Sequence, residues 1–139
     1  MILVDTNVFS ELVKPVPDGL VVDWLFQNRR ETLLSSLVVA EIDSGVRTTP
    51  GAAKRKLLAA WLERLIDSHA SRIVDFDLPA ARKWAGFQSA LLIADKRAGT
   101  RTIDTLLAAQ ALALDVSFAT RNAVHFEDTD VRVINPWEP

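Results

Sequence analysis

The sequence predicts an α/β fold in three layers, α/β/α, around a central, mainly parallel sheet. Two observations carry that reading. Short apolar runs recur at residues 1–4, 32–34, 73–74, 116–119 and 131–134, as expected for strands buried on both faces. Stretches with helical spacing and helix start signals separate them, and strands alternating with helices favour a parallel sheet covered on both sides. The chain has 139 residues, no internal repeat and no linker, so a single domain over residues 1–139 is expected.

The elements follow in chain order. Residues 1–4 give the first strand, and Asp5-Thr6-Asn7 closes it. Residues 8–13 suit a short helix stopped by Pro15 and Pro17. Asp18 is placed to cap a helix reaching about Arg29, with Val21, Val22, Trp24 and Leu25 as its apolar members. Thr32, Leu33 and Leu34 make the second strand, and Ser35 or Ser36 caps a helix to about Arg47. Thr49-Pro50 reads as the next helix start, a capping residue followed by proline at the first helical position. Its stripe is Leu58, Trp61, Leu62, Leu65 and Ile66. That stripe suits core packing, and it could alternatively meet a partner.

Ile73 and Val74 are a third strand. Asp77 and Pro79 open a helix with Trp84, Phe87 and Leu91 on one side, broken by Gly99. Thr102 caps a helix to Leu114 that is apolar almost all round, with Asp104, Thr105 and Gln110 as its polar members. Such a helix belongs in the interior. Residues 116–119 form a strand ending in Thr120-Arg121-Asn122, and residues 131–134 form the last, closed by Asn135-Pro136.

Composition narrows the function classes. With 49% hydrophobic and 24% charged residues, the chain is not intrinsically disordered. It has no cysteine, which removes disulfides, thiolate zinc sites and a cysteine nucleophile. His69 and His125 are the two histidines, too few for a multi-histidine metal centre. No apolar run of about 18 residues could span a membrane, and the first residues lack the basic region and cleavage site of a secretion signal. A cytoplasmic protein with no membrane partner is expected.

The net charge of −2 is unevenly spread: −4 over residues 1–46, +6 over 47–101 and −4 over 102–139. Arg47, Lys54, Arg55 and Lys56 form one basic group, and Lys96, Arg97 and Arg101 a second. Solvated helix faces explain such charge. So does a flank that binds a polyanion beside an acidic pocket.

Three acids stand in unusual places. Asp5 ends the first buried strand, where ligands of parallel sheets bind, although an Asp there also caps turns. Glu41 falls on the apolar stripe Leu37, Val38, Glu41, Ile42, Gly45, Val46. A carboxylate facing a core is costly unless it is paired, for instance with an arginine, or binds a metal. Asp104 lies in the first turn of the most apolar helix, where the helix dipole favours it by about 0.3–1 kcal/mol. Leu107, Ala108 and Ala111 share its side, so it also points into packed structure. Two carboxylates ~5 Å apart repel by roughly 3 kcal/mol at an effective dielectric of 20. Three ionised ones need a cation, and all-oxygen ligands select Mg²⁺ or Mn²⁺. No serine–histidine pair, glycine-rich phosphate loop or zinc motif competes for the chemistry.

The ordered set Asp5-Thr6-Asn7-Val8, Glu41, the run from Ile103 through Asp104 to Ala109, Ala119-Thr120-Arg121-Asn122 and the closing Val133-Ile134-Asn135-Pro136-Trp137 resembles PIN-domain proteins. More narrowly it is similar to the VapC toxins of bacterial toxin–antitoxin systems, in the FitB-like subgroup, over the whole chain. The resemblance implies a PIN-like α/β/α fold and an endoribonuclease that uses Mg²⁺, with Mn²⁺ as a substitute. It also implies an RNA substrate, neutralisation by a VapB-type antitoxin, a homodimer within the toxin–antitoxin complex, and contact with DNA only through the antitoxin. Position by position, Asp5, Glu41 and Asp104 fall on the catalytic, metal-binding acids. Thr6 and Asn7 would orient the loop, and Thr120 would hydrogen-bond a carboxylate or phosphate. Asn122 stands at the fourth acidic position and His125 where an acid is frequent, which favours one metal ion over two.

Two other readings stay open. One is a degenerate, non-catalytic PIN relative acting as a binding module, favoured by Asn122 and His125. The other is a phosphatase of the haloacid-dehalogenase type with Asp5 as nucleophile, although such enzymes want a second acid where Asn7 stands.

Overall fold

A computed structural model describes residues 1–93 and 102–139. Its strands are β1 (Ile2–Val4), β2 (Thr32–Ser35), β3 (Ile73–Val74), β4 (Ser117–Ala119) and β5 (Val133–Ile134). All neighbours pair in parallel, in the order β3-β2-β1-β4-β5. The helices are α1 (Thr6–Ser10), α2 (Gly19–Gln27), α3 (Ser36–Arg47), α4 (Ala52–Ser68), α5 (Leu78–Ile93) and α6 (Thr102–Leu114), with 3-10 turns at Glu11–Val13 and Ala123–Phe126. The chain winds outward from β1 through β2 to β3, then returns to lay β4 on the other side of β1. The right-handed rule for such crossovers assigns α1–α4 to one face and α5–α6 to the other. Within each group α3 packs on α4 and α5 on α6. The expected α/β/α architecture is the one observed.

The core is built where the sequence is most apolar. Leu3 lies opposite Leu33 on one side and Phe118 on the other. Leu3, Val4, Leu34 and Phe118 are fully buried against Val8, Val38 and Leu107. Burying each such side chain contributes roughly 1.5–3 kcal/mol before the entropic cost of ordering it. On α4, Leu62 and Leu65 are buried, and Leu58, Trp61 and Ile66 pack on the core. That stripe is therefore core packing, not a free surface.

Helix ends show where local signals held and where they did not. The Asp18 carboxylate accepts from the Leu20 N–H at 2.9 Å and starts α2, and Asp77 accepts from Ala80 at 3.0 Å to start α5. Two helix starts differ from expectation. The first helix begins at Thr6 rather than residue 8, because Asp5 itself is the cap. And α4 starts after Gly51, at φ +87°, not at Thr49-Pro50. The hydroxyls of Thr48 and Thr49 are used backward instead: they donate to the Ser44 and Gly45 carbonyls at 3.1 and 2.8 Å and close the end of α3. Glycine suits the positive φ that reverses the chain between the two helices. The predicted break at Gly99, the side chain of Leu91, and the Lys96, Arg97 and Arg101 group lie outside the described residues.

Candidate active site

Winding reverses between β1 and β4, and the crevice beyond the carboxyl ends of strands at such a reversal is where open parallel sheets bind ligands. Asp5 leaves β1 there, and Thr120 leaves β4. The register that sets Val4 opposite Ala119 carries on by one residue and sets Asp5 beside Thr120. The Asp5 N–H donates to the Ala119 carbonyl at 2.9 Å. Its side chain is 2% exposed. One carboxylate oxygen, Oδ1, accepts from the Thr6 N–H, and the other, Oδ2, accepts from the Thr120 hydroxyl, both at 2.7 Å. Asp5 thus caps α1 and faces the crevice at once.

Asp104 comes from the other layer. It lies in the first turn of α6 and is 1% exposed. Its Oδ2 accepts from the Asn122 side-chain amide at 3.1 Å. The Asn122 backbone N–H donates to the Thr120 hydroxyl oxygen at 3.2 Å. The segment after β4 therefore hands one donor to each buried acid. Thr120 carries a signal in the sequence, its place directly after a buried strand. The Asn122–Asp104 bond itself had no such signal.

The charges of Asp104 and Glu41 both act on Asp5. The Asp5 carboxyl is pushed up to about 6, above all by burial. The Thr120 hydroxyl pulls it back, the Asp104 charge raises it, the Thr6 N–H lowers it, and the Glu41 charge raises it again. Glu41 is thus within electrostatic reach of Asp5. It is half-buried rather than core-facing: Val38, Ile42 and Val46 form the buried row of α3, and Glu41 sits at its margin.

The donor set is all oxygen and suits a hard divalent cation. Besides the two buried carboxylates, the segment just after Asp5 carries the Thr6 hydroxyl and the Asn7 Oδ1, both buried with no hydrogen-bond partner among the described residues. No three His, Asp or Glu side chains among the described residues stand close enough to chelate an ion by themselves. Mg²⁺, which keeps several waters and takes one or two carboxylates, fits that arrangement better than an ion that demands a full protein cage. His125 lies in the next turn, with its ring Nδ1 buried and unpartnered among the described residues.

Away from the acids, Lys54, Arg55 and Lys56 are exposed at the start of α4, while Arg47 is drawn to Asp43 at 3.1 Å. No helix of the described residues is long and apolar enough to cross a membrane.

A family model described as PIN domain matches residues 2–131. A VapC ribonuclease, Y4jK of Sinorhizobium fredii, is 38% identical over 141 residues, covering 100% of this chain and 99% of the relative. Toxin FitB of Neisseria gonorrhoeae is 37% identical over 139 residues, covering 99% of each chain. The crystal structure of FitAcB from Neisseria gonorrhoeae superposes with a TM-score of 0.92 at 35% identity over 100% of both chains.

Proposed function

The chain belongs to the PIN-domain family, in its VapC/FitB toxin branch, and from that membership we propose that it is a Mg²⁺-dependent endoribonuclease held in check by a VapB-type antitoxin. The observation that carries the proposal is the meeting of Asp5 and Asp104, from two layers of the fold, as buried carboxylates at the sheet's winding reversal. Asp5 and Asp104 would hold the ion, with Mn²⁺ as a substitute. Bound there, a divalent ion supplies an activated water and relieves charge on the phosphodiester under attack. Glu41, at the rim and only half-buried, would ligate through water and take the proton from the attacking water. Thr120 fixes the Asp5 carboxylate through Oδ2 and the Thr6 N–H fixes it through Oδ1, and Asn7, two residues on, has a buried Oδ1 with no hydrogen-bond partner among the described residues. Lys54, Arg55 and Lys56 would neutralise RNA phosphates. A cytoplasmic toxin dimer, reaching DNA only through its antitoxin, completes the reading.

The test is RNA cleavage by purified protein. Cleavage should need Mg²⁺ or Mn²⁺, stop in EDTA, and be lost in Asp5→Asn and Asp104→Asn variants that still fold. Full cleavage by either variant would overturn the assignment. One observation favours a second reading, a non-catalytic binding module: no three acids of the described residues chelate unaided. A Mn²⁺ titration separates the two, since the module would show no binding dependent on Asp5 and Asp104.

A further inference from the structure

We propose that Asn122 is a positioning residue that sets Asp5 and Asp104 as a two-acid seat for a single divalent ion. The inference rests on the metal reading above and adds what this chain's own amide does there. Asn122 begins the 3-10 turn Ala123–Phe126, yet its side chain makes no capping bond to that turn. The amide is committed across the crevice, to Asp104 Oδ2 at 3.1 Å. Its backbone N–H reaches Asp5 by way of Thr120: 3.2 Å to the hydroxyl oxygen, then 2.7 Å from the hydroxyl to Asp5 Oδ2. One residue therefore orders both acids, Asp104 directly through its side-chain amide and Asp5 through its backbone N–H and the Thr120 hydroxyl.

Chemistry makes asparagine hard to replace here. An aspartate of the same shape has only acceptor oxygens when ionised, so the donor facing Asp104 would become a like charge. The amide instead lets two buried carboxylates stand near each other before any cation arrives. It also limits the charge: with an amide at residue 122, Asp5 and Asp104 would hold one ion, with Glu41 at the rim, whereas a further carboxylate there would favour a second. Groups that orient a metal ligand typically carry a 10–100-fold effect on affinity.

The experiment uses Mn²⁺ as the probe on the intact chain. Bound Mn²⁺ is counted by electron paramagnetic resonance, and melting is followed in EDTA and across a Mn²⁺ titration. Wild type should bind one ion. Asn122→Ala should bind one ion about tenfold more weakly. Asn122→Asp should melt below wild type in EDTA, recover more steeply as Mn²⁺ is added, and take up a second ion. If Asn122→Ala melts without a cooperative transition, Asn122→Ser, neutral and smaller, carries the same expectation. Wild-type affinity in the alanine or serine variant would overturn the positioning role and leave the metal reading standing. Two ions in wild type, or one in Asn122→Asp with melting shifted equally with and without metal, would overturn the single-ion seat. No Mn²⁺ bound by wild type would overturn the metal reading and this inference with it.

Discussion

At the scale of single residues, Asp5 shows why one acid can be read two ways from sequence and both be right. Its position after a buried strand fits a turn cap and fits a metal ligand, and the structure gives one oxygen to the Thr6 N–H and the other to Thr120. The cost is visible in its ionisation, raised to about 6 chiefly by burial. A carboxyl raised above its ordinary value opposes folding once ionised. Two units correspond to on the order of 3 kcal/mol at neutral pH, to be relieved by a cation. Asp5→Asn removes the charge and keeps one acceptor oxygen. In EDTA at pH 7.5 the variant should be about 1–2 kcal/mol more stable than wild type, or roughly 3–8 °C in melting temperature. Wild type should overtake it as Mn²⁺ is added. A variant that melts lower than wild type in EDTA would mean that the Asp5 charge is not under strain. The acids and Thr120 were legible because they break the apolar pattern or end strands. The Asn122–Asp104 bond was not, because it joins residues whose meeting depends on how α6 lies across β4.

At the scale of elements, local chemistry fixed a helix start wherever one polar side chain had a single place to donate or accept. Asp18 and Asp77 are such cases. Thr49 is the opposite case, since its hydroxyl closes the preceding helix rather than opening the next. Ser35 works in both directions: its Oγ accepts from the Leu37 N–H at 3.1 Å to start α3 and donates to the Gln110 side-chain Oε1 at 2.6 Å. Gln110 is 1% exposed on α6. This bond ties the helix bearing Glu41 to the helix bearing Asp104. Ser35→Ala removes a cap and strands a buried amide oxygen, so it should cost about 2–3 kcal/mol by urea unfolding. A loss under about 0.5 kcal/mol would show that Gln110 finds another partner. On α4, reversing Lys54, Arg55 and Lys56 to glutamate tests the phosphate contact. With all three engaged on single-stranded RNA, the log–log salt slope of binding should flatten by roughly 2. An unchanged slope would make them solvated charges.

At the scale of the whole molecule, the sheet separates two buried titrating groups that act in opposite directions. Asp5 lies beyond the carboxyl end of β1, and His69 sits at the amino end of β2. The register Ile2 to Thr32 puts them roughly 10 Å apart along the strands. The His69 Nδ1 donates to the Leu65 carbonyl at 2.9 Å, which leaves Nε2 to accept from the Thr32 hydroxyl at 3.0 Å. The ring meets Phe9 edge-on. Burial holds its ionisation below the ordinary histidine value, the Leu65 bond opposes that, and Arg72 adds to it. The folded state thus prefers neutral His69, whose contribution is complete above about pH 6.5 and is lost as pH falls through the folded value. Asp5 has the reverse sign: with a folded value near 6, its contribution falls as pH rises from about 4 to 6. In EDTA the two slopes oppose each other in wild type. Asp5→Asn should therefore show a steeper rise of melting temperature from pH 5 to 7, His69→Gln a shallower one or a fall, and the double variant a nearly flat profile. Sites this far apart, joined through Phe9 only by a 3.5 Å backbone bond to Asp5 and a ring contact to His69, should add to within about 0.5 kcal/mol. Saturating Mn²⁺ should make wild type resemble Asp5→Asn, because a bound cation keeps Asp5 ionised. If Asp5→Asn keeps the wild-type slope in EDTA, the carboxyl does not titrate in this window, and burial at the end of β1 does not disfavour its charged form.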